Sequence, residues 1–223
     1  MHRTLLFLAL VASGAAAAQA PANLRDIDKI NGGIVADAGQ AYGDLSTVNG
    51  SIQLADRARA QDVATVNGGV KAGEAVAADD VSTVNGSIRF GRSARIGGNV
   101  ETVNGSIFFD RGGALRGDVT TVNGGIGLVD VDLDGGISTV NGDITVGIGS
   151  HVRGGITVEK PSGQWSWLGR PKVPRIVIGP GAVVEGPLVF EREVKLYVHA
   201  SARTGSVRGA TAQRFDTPTA PRD

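Results

Sequence analysis

Residues Ser46–Ile52 read STVNGSI, and Ser82–Ile88 repeat the stretch letter for letter. Taken alone, an Asn-Gly pair is a strong local signal for a hairpin turn. Its recurrence decides otherwise. The Asn falls at Asn31, Asn49, Asn67, Asn85, Asn104, Asn123 and Asn141, at intervals of 18, 18, 18, 19, 19 and 18 residues. A fixed period of this length marks a repeat architecture.

Within each period the apolar residues come in alternating pairs about six residues apart. After Asn85 they are Ile88/Phe90, Ala94/Ile96 and Val100/Thr102; after Asn49 they are Ile52/Leu54, Ala58/Ala60 and Val63/Thr65. Alternation of this kind marks short strands with one buried face. A hairpin meander would need a second turn signal midway through each period, and the midpoints ADRARA, GEAVAA and GRSARI carry none. Beyond the last Asn-Gly, the pairs Ile176/Ile178, Ala182/Val184, Leu188/Phe190, Val194/Leu196 and Ala200/Ala202 keep the six-residue step. The hexad is therefore the underlying rule. It predicts an all-β fold, a single-stranded three-sided parallel β-helix (β-solenoid) with about 18 residues per turn.

In such a coil equivalent residues stack at roughly 4.8 Å. The residue three after each Asn is expected to form a core ladder, and the Asn amides to bond from turn to turn. Gly after Asn is expected to supply a positive φ at the corner.

Around this repeat the chain divides readily. Residues 1–20 have a basic start, an apolar run and a closing Ala18-Gln19-Ala20, the pattern of a secretory signal peptide. The expected location is periplasmic or secreted, with no membrane span after processing. Residues 21–29 read as a leader or cap, 30–158 as the regular solenoid, 159–175 as a Trp/Pro-rich inserted loop, 176–207 as terminal turns and 208–223 as a disordered tail. There is no Cys, so the fold owes nothing to disulfides, and 22 basic residues balance 22 acidic ones. That balance offers no electrostatic case for nucleic acid.

Chemistry is sparse. His151 and His199 sit in no catalytic or metal-binding spacing. Asp130, Asp132 and Asp134 imitate the opening of a calcium loop, but its twelfth position is Asn141 where the motif requires Glu. Val131 and Leu133 fit core positions, leaving the three Asp outward, where they invite at most a weak Ca²⁺ contact. The Asn-Gly-Ser sequons at Asn49, Asn85 and Asn104 are explained as turn chemistry. No repeat position is expected to gather acids or bases as a glycan-cleaving β-helix requires. Neither an enzyme nor a cofactor is expected.

Two features suit binding. Val48, Val66, Val84, Val103, Val122 and Val140 precede the Asn. If the Thr before each faces inward, these Val form an outward apolar column; if the Thr faces out, they belong to the corner core. Trp165 and Trp167 in the inserted loop could anchor a partner or stack on sugar, or fold back over the solenoid flank.

The repeated TVNGSI/GGI turns, followed by VIGPGAVVEGPLVFEREVKLYVHASA, resemble bactofilin-type polymer-forming proteins and related putative-adhesin β-solenoids. The likeness covers roughly residues 30–207. It implies a right-handed parallel β-helix and, for bactofilins, end-to-end assembly. Bactofilins are cytoplasmic, whereas this chain opens with an export pattern. The expectation is an exported, non-enzymatic structural or interaction protein, with open solenoid ends that are capped or joined into a homo-oligomer or filament. An envelope- or carbohydrate-binding module using the Trp165/Trp167 loop is the alternative.

Overall fold

The computed structural model describes residues 24–161 and 172–221. The signal pattern and both Trp residues lie outside these. The described strands form three parallel sheets, two of ten strands and one of seven, with each strand bonded to its equivalents one turn before and after. Sheet I holds the strands that lead into the Asn corner, such as Val81–Asn85; sheet II those that leave it, such as Ile88–Phe90; sheet III the short third strands, such as Arg95–Ile96. The predicted three-sided solenoid is the observed fold. Asn31 pairs with Asn49, Asn49 with Asn67, Asn67 with Asn85, Asn85 with Asn104 and Asn104 with Asn123, in register.

The core is the stack of inward side chains from the three sheets. The residues three after Asn (Ile52, Val70, Ile88, Ile107, Ile126 and Ile144) are at most 2 % exposed. Phe90 and Phe109, the largest fully buried side chains among the described residues, stack with ring centroids 4.3 Å apart. A core only one side chain deep from each wall explains how so few aromatics suffice.

Glycine after Asn has a different cause from the expected one. Of these glycines only Gly32 and Gly124 have a positive φ. A Cβ at Gly50, Gly68, Gly86, Gly105 or Gly142 would instead lie 1.9–2.3 Å from the carbonyl oxygen of the glycine one turn earlier. The corner is built by close backbone stacking, which admits no side chain. The left-handed corner is elsewhere, between sheets II and III, where Gly39, Arg57, Ala75, Ser93, Gly112, Asp130 and Gly149 hold φ of 52–75°.

Both ends are longer than the sequence suggested. The leader is already strand from Arg25, paired with Tyr42–Asn49. The tail is not structureless throughout: Ala212–Phe215 is the last strand of sheet II, bonded to Lys195–His199. Its one bulky apolar residue, Phe215, is buried, and that single contact replaces the missing periodicity. The insertion after Val158 leaves the stack undisturbed, since Ile144 pairs with Ile176 and Val146 with Ile178.

Candidate functional site

The inward Thr settles the direction of the valines. Thr47, Thr65, Thr83, Thr102, Thr121 and Thr139 are 1–4 % exposed. Most donate Oγ1–H to a corner carbonyl, as Thr83 does to Gly68 O at 2.8 Å and Thr102 to Gly86 O at 3.0 Å. Strand alternation then sends the following Val outward. Val48 is 41 % exposed, and Val66, Val84, Val103, Val122 and Val140 are half-buried by their stacked neighbours. Ile30, 72 % exposed, heads the same column.

Beside this ridge runs a second outward column two residues earlier: Ser46, Ala64, Ser82, Glu101, Thr120 and Ser138. From Ser46 to Val140 the outer face of sheet I thus carries one ionisable group, Glu101. Its carboxyl is pushed above the ordinary range, first by burial and then by Asp80 and Asp118. The other two faces carry charges among uncharged positions such as Val35, Gln53 and Phe108 of sheet II. Sheet II turns Lys71 and Arg89 outward, and sheet III turns out Arg95 and Asp132.

One edge of the face is the asparagine ladder. Each Nδ2 donates to the Oδ1 one turn earlier, from Asn49 to Asn31 through Asn141 to Asn123, at 2.9–3.1 Å. The last acceptor, Asn141 Oδ1, receives Arg192 Nη1–H at 2.6 Å. The same guanidinium bonds Val140 O and Lys172 O, closing the ladder where the insertion departs.

The other edge is an acidic column that the sequence reading missed. Asp26, Asp44, Asp62, Asp80 and Asp118 stack with Asn99, each Oδ1 accepting the backbone N–H of the equivalent residue in the next turn, at 2.5–3.3 Å. Asp62 is held above the usual carboxylate range by burial, opposed by the Asp80 N–H, with Asp44, Asp80 and Asp79 adding repulsion. The signal was present five residues before most of the Asn, in GDLSTVNG, QDVATVNG, DDVSTVNG and GDVTTVNG. These acids serve the backbone of the corner.

The remaining candidates do not converge. Val131 and Leu133 are buried as expected. Asp130 occupies the left-handed corner, Asp132 faces out of sheet III, and Asp134 is paired with Arg153. Among the described residues no group of three His, Cys, Asp or Glu is placed to hold a metal. His151 pairs with Glu185 at 2.7 Å, and His199 with Ser201. No described helix is long and apolar enough to cross a membrane. The chain matches no protein-family model, no curated protein and no solved structure with which it was compared. The bactofilin likeness therefore rests on the repeat alone.

Proposed function

We propose that this chain is an exported, non-enzymatic structural or interaction protein whose contact surface is the outer face of sheet I. The observation that carries the reading is the contrast between faces. Sheet II turns out Lys71 and Arg89 and sheet III Arg95 and Asp132, while between Ser46 and Val140 sheet I presents an in-register valine ridge and a row of small side chains with Glu101 as its one acid. A flat, parallel-stacked apolar strip of this kind marks an interaction surface. The six stacked strands that carry it, from Tyr42–Asn49 to Ile137–Thr139, give it a length of about 24 Å at roughly 4.8 Å per step. A strip about 16 Å wide would bury about 800 Å² between two copies, the scale of a weak, concentration-dependent contact. Self-association through this face, or through open sheet ends as the bactofilin likeness implies, is the form of interaction proposed.

Sedimentation velocity of residues 21–223 over a concentration series tests it, alongside fractionation of cells expressing the full chain. Concentration-dependent association and recovery outside the cytoplasm are expected. A monomer at every concentration, or retention in the cytoplasm, would overturn the respective half of the reading.

A further inference from the structure

The outer face of sheet II changes character near its C-terminal end. Earlier turns leave Val35, Gln53, Lys71, Arg89 and Thr145 open to solvent, whereas Val177 and Tyr197 on later strands are only 7 % and 6 % exposed. They form a second apolar cluster outside the solenoid core, with Phe215 and the partly buried Ala220. The chain after Phe215 turns back across this cluster as a strap. Arg175 Nη2–H donates to Pro221 O at 2.6 Å, and the Arg175 guanidinium lies 4.9 Å above the Tyr197 ring centre.

Between the strap and the corner that carries Ile148 and Pro180 lies a groove of about 830 Å³, a volume typical of small-molecule sites. Its apolar walls are Ile148, Val177, Pro180, Phe215, Pro218 and Ala220. Ile148 is 56 % exposed, one of four exposed large aliphatics among the described residues, with Ile30, Val35 and Val48.

The polar lining is directional. Arg175 gives one N–H to the strap and keeps further donors of its planar guanidinium. His199 Nδ1 accepts the Ser201 backbone N–H at 3.1 Å, which assigns the ring proton of the neutral imidazole to Nε2 and makes that N–H a donor. Asp216, on the strap, is the opposing charge.

We propose that this groove binds a small apolar molecule bearing a carboxylate, the carboxylate meeting Arg175 and His199 Nε2–H and the apolar body lying along Val177, Ile148 and Phe215. Arg recognises planar carboxylates by paired N–H bonds, and the surrounding apolar wall strengthens that attraction. Asp216 weakens it, so the site carries its own signature of charge sign. The proposal stands apart from the sheet I face.

Calorimetric titration of residues 21–223 with octanoate, octan-1-ol and octylamine tests it. Octanoate should bind about tenfold more tightly than octan-1-ol, the scale of a charge-assisted contact. Arg175→Gln should abolish that difference. Asp216→Asn, an exposed change that leaves the strap contacts intact, should tighten octanoate about two- to threefold and leave octan-1-ol unchanged. Equal affinity for octanoate and octan-1-ol, preference for octylamine, absence of binding, or indifference of octanoate to Asp216→Asn would each overturn the proposal.

Discussion

A Cβ added at Gly86 would stand 2.0 Å from Gly68 O, 2.5 Å from Gly68 C and 2.8 Å from Gly69 N. All three atoms are backbone, so no rotamer change relieves the clash. That backbone is also fixed from the neighbouring turns. Gly68 N–H donates to Asn85 O at 3.1 Å, Thr83 Oγ1–H to Gly68 O at 2.8 Å, and Asn85 Nδ2–H to Asn67 Oδ1 at 3.0 Å. Gly86→Ala must part the two turns at this corner and loosen these three bonds. At about 1 kcal/mol net each, the loss is about 3 kcal/mol. For a chain of about 200 residues that lowers the thermal midpoint by about 6–12 °C. Gly181→Ala is the control: its φ is +66° and a Cβ there meets nothing within 4 Å, so only the left-handed penalty of about 1 kcal/mol applies. Urea and thermal unfolding followed by far-UV circular dichroism measures both. If Gly86→Ala costs no more than Gly181→Ala, close stacking is not why glycine follows Asn.

Further perturbations address the other corners. Ala75 holds φ +54°, so Ala75→Gly should stabilise by up to about 1 kcal/mol, relief of the left-handed strain outweighing the added chain entropy; a loss of stability in urea would contradict this. Arg192→Met strips the donor from Asn141 Oδ1 and Val140 O, and should cost about 1 kcal/mol and speed amide exchange around Asn141 while leaving Asn49 unaffected. Burial first, then neighbouring acids, raises Asp62 and Glu101. The folded chain therefore holds their protons more tightly than the unfolded chain, and their contribution is full below the ordinary carboxylate range, about pH 4, and lost as pH climbs through the raised values. Asp80→Asn removes a charge that acts on both and keeps an Oδ1 for the Asn99 N–H, as Asn99 itself does one turn later. It should stabilise at pH 7 and low salt by a few tenths of a kcal/mol, the gain vanishing below about pH 4; a gain that persists in acid would contradict the charge argument.

The repeat made the architecture legible because a parallel solenoid writes its geometry into spacing. Asn at a fixed phase and hexads on either side leave one economical arrangement, and the core ladder from Ile52 to Ile144 follows from it. The direction of the valines was not legible, because Thr and Val are both β-branched and alternate, and either can face a core. The decision lies in Thr Oγ1, which buries well once a corner carbonyl stands within reach, as Gly68 O does for Thr83. The acidic column could have been read from the Asp five residues before Asn, but corner acids look like ordinary solvated turns until stacking brings them together. The groove beneath the C-terminal strap had no local signature at all. It joins Ile148, Val177, His199 and Phe215, residues that become neighbours only through the stacking of successive turns. The strand Ala212–Phe215 escaped for a related reason: Gln213 and Arg214 face solvent, leaving one bulky apolar residue where a pattern needs several.

The central claim is that copies of the chain associate through the outer face of sheet I and not through the other two faces. Placing a single lysine on each outer face tests it most directly: Val84→Lys on sheet I, Gln53→Lys on sheet II and Ala77→Lys on sheet III, all outward positions on described strands. Sedimentation equilibrium of the three variants against the parent chain should show association weakened by about tenfold or more for Val84→Lys, as expected for a buried unpaired charge at an interface, with the other two unchanged. Equal weakening by all three, or loss on sheet II or III with Val84→Lys unaffected, would contradict the account.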